Sequence, residues 1–211
     1  MILLCIVTIF SKSTTANADD RYVKLCERYF TEFAEDYGKF GQKDGFTYLY
    51  SDKKNTATIV AIPMEQKKVA VPEKINGKTV TKIELMDVFS CSSNYYFRDE
   101  FYGEHEDNPV PKVEYLSIPK TVKVINIYAG IGLTEGYCGE LQSYLVHLKK
   151  FNVASANKWY RSYKGMLYTK NGKKLLLVPR KYMAKTVKVK KGTTKIADFA
   201  FSFCTNIKKV I

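Results

Sequence analysis

Short strings in which apolar residues alternate with one other residue recur along this chain at related spacings. Three of them are Val69-Ala70-Val71-Pro72, Leu116-Ser117-Ile118-Pro119 and Val187-Lys188-Val189-Lys190, and a fourth begins at Val210. Their first residues are 47, 71 and 23 positions apart, close to two, three and one times a unit of 23 to 24 residues. One such unit cannot bury its apolar face alone, whereas stacked units form a continuous core. The spacing therefore predicts a repeat solenoid made mainly of short β-strands.

An isoleucine follows each complete string and marks the returning segment of the unit. Ile125 and Ile196 lie seven residues after the second apolar position of their strings, and Ile83 is delayed by a turn around Asn76-Gly77. The strand and the returning segment of a unit enclose one core, so both must direct apolar side chains inward. We expect the inward positions to be Ile118, Ile125, Val187, Val189, Ile196 and Phe201.

Two β-hairpins are predicted beside the repeats. Residues 46–50 and 56–62 are rich in β-branched and aromatic side chains and flank a polar segment. Met166–Thr169 and residues 174–178 flank Asn171-Gly172. Because this dipeptide best accepts two positive φ angles, we expect a type I′ turn there.

The first 41 residues have a different pattern. Residues 1–10 form an apolar run too short to cross a bilayer as a helix, and Ala16-Asn17-Ala18 is a small-x-small site of the kind that signal peptidases cut. We expect residues 1–18 to be a signal peptide, the alternative being a buried N-terminal strand. Apolar residues at helical spacing then predict an amphipathic helix over residues 19–41. The chain holds no second long apolar run, so no membrane span is expected.

Charge divides the chain into two parts. Residues 149–211 hold 17 basic residues and one acid, Asp198, a net charge of +16, whereas residues 1–148 hold 17 basic and 20 acidic residues, a net charge of −3. Aromatic rings beside cations can stack on sugars or bases while the cations meet phosphate, sulfate or carboxylate. The candidate ligand-binding residues are Trp159, Tyr163, Lys173, Lys174, Arg180, Lys188 and Lys190.

Lys188 is the strongest of these candidates. It lies between the inward Val187 and Val189, so its side chain must project from the opposite face of the strand. The alternative is that a lysine-rich strand face serves only to keep the sheet soluble and unpaired.

The strings at residues 71–83, 118–125 and 195–211 resemble the BspA-type leucine-rich repeat of bacterial surface proteins. Ile196, Ala200-Phe201, Cys204 and Ile207 match that unit residue by residue, while Ala129-Gly130 departs from it. The resemblance implies a leucine-rich repeat domain over residues 45–211, apparently truncated at its C-terminal end. It also implies an exported or cell-surface protein that binds or adheres and is not an enzyme.

No constellation of catalytic or metal-binding residues accompanies these repeats. Cys26, Cys91, Cys138 and Cys204 are too far apart for a zinc motif, and we expect buried, unpaired thiols. His105 lies in an acidic loop that matches no calcium or zinc spacing, and His147 is expected at the surface. We therefore predict no cofactor and no metal.

Two functions remain open at this point. The favoured one is a secreted or cell-surface, non-catalytic binding module that recognises an extracellular or host protein or an acidic polysaccharide, with nucleic acid made an unlikely partner by the secretory signal. The alternative is the substrate-binding or targeting part of a larger exported enzyme whose catalytic domain lies beyond residue 211.

Overall fold

Strands and turns make up the residues that the structure describes. The computed structural model describes residues 39–85, 110–126 and 144–211, and these hold fifteen strands. The signal peptide expected at residues 1–18, the first twenty residues of the expected helix, and Cys26, Cys91, His105 and Cys138 lie outside them. In the three described ranges, no helix is long and apolar enough to cross a membrane. The strands are β1 (Lys39–Lys43), β2 (Phe46–Ser51), β3 (Thr56–Ala61), β4 (Lys68–Ala70), β5 (Lys74–Ile75), β6 (Lys78–Ile83), β7 (Tyr115–Ile118), β8 (Val124–Ile125), β9 (Lys150–Val153), β10 (Tyr160–Tyr163), β11 (Met166–Thr169), β12 (Lys174–Leu177), β13 (Thr186–Val187), β14 (Lys195–Ile196) and β15 (Lys209–Val210).

Strand β1 occupies the position where the N-terminal helix was expected to end. Residues 39–41 pair antiparallel with β2, so the assignment of these three residues to the helix is wrong. The physical reason is the two-residue loop Asp44-Gly45, in which both φ angles are positive, 52° and 80°. This dipeptide closes a tight hairpin whose twist matches that of the flanking strands, and it commits the preceding residues to β structure.

The first sheet confirms the N-terminal hairpin and one row of the repeat. Strand β2 pairs antiparallel with β3, and β3, β6 and β8 then pair in parallel. Ile59, Ile83 and Ile125 lie in one register row across those three strands. The equivalence of Ile83 and Ile125 that the spacing predicted is therefore present in the structure.

The second sheet consists of three parallel strands in the order β4-β7-β9. Val69, Leu116 and Phe151 lie in one register row, and Ile118 lies opposite Val153. Strands β4 and β7 are the first two predicted strings. Strand β9 was not predicted, although Phe151-Asn152-Val153 has the same alternation.

The C-terminal part combines a hairpin with parallel pairs. Strands β10, β11 and β12 are antiparallel, which confirms the second hairpin, and β14 pairs in parallel with β12. Strand β13 pairs in parallel with β15, with Val187 opposite Val210. The third and fourth strings are thus neighbours, as their spacing of 23 residues predicted.

The turn at Asn171-Gly172 differs from the predicted type I′ turn. Gly172 alone has a positive φ, 71°, and its N–H donates to the Thr169 carbonyl at 2.8 Å. The Asn171 side-chain oxygen accepts from the Lys173 N–H at 3.0 Å, which is an Asx turn. This side-chain bond favours a four-residue loop over the two-residue one.

The buried side chains form two clusters. The larger is built from the first two sheets with Leu167, Leu176 and Leu177, and the smaller from β11, β12, β13 and the segment after β14.

Asn157 is fully buried beside the larger cluster. Its amide donates to the carbonyls of Pro119 and Val122, and its oxygen accepts from two backbone N–H groups. Every polar group of this side chain is therefore satisfied.

The six expected inward positions divide three ways. Ile118, Ile125 and Val187 are buried, and Val189 and Phe201 are half-buried. Ile196 is 45% exposed, so its assignment to the core is wrong. Strand β14 pairs with β12 on one side and has no partner strand on the other within the described residues, while Ala197 and Ala200 fill the adjoining core.

Candidate ligand-binding site

The outward face of the sheet β4-β7-β9 presents two ordered rows of side chains. Val69, Leu116 and Phe151 are buried beneath the sheet, each at most 2% exposed. Because side chains alternate along a strand, the residues before and after them project from the opposite face. The register places Lys68, Tyr115 and Lys150 in one outward row and Ala70, Ser117 and Asn152 in the other.

A groove crosses these strands on the outward face. Its main part has a volume of about 480 Å³ and is lined by Lys68, Val69, Ala70, Tyr115, Ser117 and Asn152. A second part, of about 330 Å³, shares Ser117 and Asn152 with the first and is also lined by Val71, Ile118, Pro119, Val153 and Ala154 at the ends of the strands. The small side chains of Ala70 and Ser117 leave this space above the sheet.

The polar groups in the groove are available to a ligand. Among the described residues, the Ser117 hydroxyl and the Asn152 amide have no hydrogen-bond partner, and both side chains are half-buried. A hydroxyl and an amide together offer donors and acceptors in fixed positions. The groove can therefore hydrogen-bond a polar ligand without first breaking bonds within the described residues.

The residues just before these three strands form ion pairs with one another. The Glu114 Oε2 atom lies 2.8 Å from the Lys149 Nζ atom, and its Oε1 atom lies 3.9 Å from the Lys67 Nζ atom. The hydrogen bond from Lys149 holds the pKa of Glu114 below its ordinary value, and Glu114 in turn raises the pKa of Lys149. Lys68 and Lys150, one residue farther along, have no carboxylate within ion-pair distance in the described residues.

Three of the predicted ligand-binding lysines lie together at the turn between β11 and β12. A Cβ atom on Gly172 would lie 2.8 Å from the Lys190 Cε atom, so the stem of Lys190 covers this turn. Lys173 follows Gly172 directly, and Lys174 lies in register opposite Lys195. Lys190 is half-buried here, and its Nζ atom donates to the Lys191 carbonyl at 3.1 Å.

The other predicted residues contact separate neighbours. Lys188 is exposed next to the fully buried Val187, in agreement with the expected outward direction. The Arg180 guanidinium lies 4.8 Å from the ring centre of Phe203. The Trp159 ring is 39% exposed and lies 5.6 Å from the Lys123 Nζ atom. The Tyr163 ring packs edge-on against Tyr168 at 6.1 Å.

Sequence reasoning therefore missed the groove. The signal was present, because Ala70 and Ser117 occupy the same middle position of their strings as Lys188. Only the charged member of that set was selected as a candidate. The third contributor, Asn152, lies on the strand that the spacing did not reveal.

The remaining candidates for chemistry have ordinary surroundings. Cys204 is a free, half-buried thiol whose Sγ atom lies 3.5 Å from the Val178 carbonyl, and burial raises its pKa to about 11. This fits the expected unpaired packing cysteine, since a thiol with a raised pKa is a weak nucleophile at neutral pH. His147 is exposed, as expected. The described residues contain no group of three metal-ligating side chains.

No family model and no curated protein matches this chain. Three solved structures are similar to it. The pneumococcal vaccine antigen PcpA is 15% identical, with 82% of this chain and 64% of that chain covered and a TM-score of 0.35. A leucine-rich repeat protein from Eubacterium ventriosum is 14% identical, with 81% and 61% covered and a TM-score of 0.36. A leucine-rich cell surface protein from Faecalibacterium prausnitzii is 16% identical, with 84% and 43% covered and a TM-score of 0.40.

Two of these structures are described as leucine-rich proteins, the class that the sequence resembles. The chain spans 43% to 64% of the length of the three structures. TM-scores of 0.35 to 0.40 are too low for their sites to be transferred to this chain.

Proposed function

We propose that this chain is a secreted or cell-surface binding module of the leucine-rich repeat kind, without catalytic activity. Its partner is an extracellular protein or an acidic polysaccharide, held on the outward face of β4, β7 and β9. The single observation that carries the proposal is the groove on this face, with its unpaired hydroxyl and amide groups. The side chains that line the groove project from three strands paired in parallel.

The proposal includes a solenoid architecture for the chain. The support is that three pairs of residues equivalent in the sequence repeat are also neighbours in parallel strand pairs: Val69 with Leu116, Ile83 with Ile125, and Val187 with Val210. Strands from successive units that stack in register would give one long outward face. Such a face extends the groove beyond three strands wherever further units follow the same pattern.

A preformed groove on strands lowers the cost of binding. The backbone of β7 is hydrogen-bonded to β4 on one side and to β9 on the other, so Tyr115 and Ser117 keep their positions when a ligand arrives. Rigid contact residues lose little conformational freedom on association. Binding at this face therefore requires no folding of the groove-lining segments.

The test is saturable binding of the full-length protein to immobilised heparin, hyaluronan, dextran and type I collagen, measured by biolayer interferometry. We expect binding to at least one of these that falls strongly in Ser117→Trp, because the large ring fills the groove. Thr186→Trp, at an exposed position on β13, serves as the matched control and should bind as the parent does. Equal binding by both variants, or binding to none of the four, would contradict the proposed function.

A further inference from the structure

We propose that the groove binds a linear polysaccharide that carries an acid group on every second sugar and lies across β4, β7 and β9. The acid groups contact Lys68 and Lys150, and a sugar ring between them packs on Tyr115. This inference rests on the proposed function and names the ligand class of the same site. It draws on the charge, the side-chain chemistry and the strand spacing of the two outward rows.

Charge separates this row from its neighbour. In the set formed by Lys67, Glu114 and Lys149, one residue before the strands, the Glu114 carboxylate pairs with both lysines. In the next row the central residue is Tyr115, so Lys68 and Lys150 face an aromatic ring instead of a carboxylate. Two lysines without an acid between them form a site complementary to two anions.

Side-chain chemistry between the two lysines fits a sugar. A tyrosine ring offers an apolar face with a polar tip, which suits the mixed surface of a pyranose. The Ser117 hydroxyl and Asn152 amide lie in the adjacent row and can bond sugar hydroxyls. A ligand that offered charge alone would leave these groups unused.

Strand spacing sets the distance between the two cations. Neighbouring strands lie about 4.8 Å apart, so Lys68 and Lys150, two strands apart, are separated by about 10 Å at the backbone. A pyranose chain with an acid on alternate rings repeats its charge over a similar length. An extended acidic peptide presents neighbouring charges of one face about 6.8 Å apart, since alternate side chains share a face, so it matches this separation less well.

The position of Lys150 is constrained by the turn beneath it. Gly165 has a φ of +84°, and a Cβ atom there would lie 3.0 Å from the Lys150 Cγ atom. The stem of this lysine therefore lies against the glycine of the turn between β10 and β11. This contact limits the directions in which its ammonium group can point.

The experiment measures affinity of the full-length protein for hyaluronan oligosaccharides by calorimetry. Hyaluronan carries one carboxylate on every second sugar, and polyglutamate and dextran serve as charged and neutral comparisons. We expect the parent to prefer hyaluronan to both. The double variant Lys68→Gln with Lys150→Gln should lose about tenfold in affinity, because two charge-assisted contacts are removed.

Lys53→Gln with Lys54→Gln is the matched control, since it removes the same charge from two exposed lysines that do not line the groove. We expect it to retain affinity within about threefold, because exposed charges at a distance are screened. Tyr115→Phe should keep the stacking contact, whereas Tyr115→Ala should weaken binding about tenfold, provided that its melting curve shows a folded protein.

Three outcomes would overturn the inference. They are equal losses in the two double-lysine variants, a preference for polyglutamate over hyaluronan, and the absence of any binding to hyaluronan. If Ser117→Trp still abolishes binding to collagen or heparin in any of these cases, the proposed function stands and only the ligand class is wrong. If Ser117→Trp has no effect on any ligand, both fail.

Discussion

At the scale of single residues, the two faces of strand β7 have opposite physical roles. Ile118 is 2% exposed and lies in register with Val153, whereas Ser117, its neighbour, is half-buried and lines the main part of the groove. Apolar-x-apolar strings predicted the buried face correctly, because burying apolar area gives a strong selection for that alternation. They did not predict that the middle residue Ser117 lines a groove, because the groove also needs residues of two other strands.

The buried face can be tested with one charge on each side of β7. Ile118→Asp should lower the free energy of unfolding by about 4 kcal/mol, because it places an unpaired carboxylate in an apolar core. Ser117→Asp adds the same charge to the outward face and should cost under about 1 kcal/mol. Urea unfolding followed by circular dichroism measures both. If the two variants unfold at similar urea concentrations, Ile118 does not point into the core.

The contacts of Asp52 with two lysines make the stability of the fold depend on pH in the acidic range. Hydrogen bonds from Lys78, at 2.7 Å, and from Lys39, at 2.9 Å, lower its pKa to about 2. Because the pKa is lowered in the folded state, this stabilisation is fully present above the ordinary aspartate pKa near 4 and is lost as the pH falls through about 2.

We therefore expect Asp52→Asn to reduce the fall in melting temperature between pH 4 and pH 2. Asp44→Asn, in the preceding turn, is the matched control, since asparagine tolerates its positive φ of 52°. An identical pH profile for Asp52→Asn and the parent would mean that the two lysine contacts do not contribute in solution.

At the scale of elements, the same dipeptide forms two different turns. Asn76-Gly77, between β5 and β6, has positive φ at both residues, 44° and 76°, as a type I′ turn requires. Asn171-Gly172 does not, because the Asn171 side chain bonds the Lys173 N–H. Local sequence predicted a turn at Asn76-Gly77 and a hairpin around Asn171-Gly172. The turn type depended on a side-chain bond that a dipeptide rule does not include.

Strand β9 shows a second limit of prediction at this scale. Its Phe151 lies 35 residues after Leu116, which is no multiple of the 23-residue to 24-residue unit. Val187 in turn lies 36 residues after Phe151, with β10 and β11 between them, so neither interval fits the unit and spacing alone did not reveal the strand. Its parallel pairing with β7 comes from tertiary contacts between Leu116 and Phe151, which a periodicity measured along the chain does not contain.

Replacing glycine by alanine should destabilise the fold less at Gly77 than at Gly172. Gly77→Ala should lower the free energy of unfolding by about 1 kcal/mol from backbone strain alone, since no atom lies within 4 Å of the added Cβ. Gly172→Ala should cost more, because its Cβ would lie 2.8 Å from the Lys190 Cε atom. In a Lys190→Ala background this excess should disappear. Equal costs in both backgrounds would show that the Lys190 stem does not cover the turn.

At the scale of the whole molecule, the basic part and the groove overlap only at strand β9. The 17 basic residues after position 148 share that part of the sequence with a single acid, whereas two of the three groove strands begin earlier, at residues 68 and 115. Composition predicted the basic part because charge can be counted. It did not predict the groove, because this site needs residues far apart in sequence to meet in register. The two features should therefore affect different steps of binding.

The basic part should control the association rate and its dependence on salt. Lys188 and Lys191 are both exposed, whereas the stem of the half-buried Lys190 covers the turn at Gly172, so Lys191 and not Lys190 is paired with Lys188 in the test. Reversing both charges lowers the net charge from +13 to +9, since each change removes two charges. Peripheral charges attract an anionic partner before contact. Salt screens this attraction beyond about 8 Å at physiological ionic strength.

We expect Lys188→Glu with Lys191→Glu to slow association with an immobilised heparin surface about tenfold at low salt, and to flatten its salt dependence, because long-range attraction is weakened. The dissociation rate should change little, because short-range contacts in the groove determine it.

Lys68→Gln with Lys150→Gln should show the reverse pattern, with faster dissociation and nearly unchanged association. Surface plasmon resonance between about 50 and 300 mM salt separates the two rates across the range where screening changes most. If the charge reversal leaves association unchanged at every salt concentration, the basic part has no role in capture, and its lysines serve to keep the strand faces soluble.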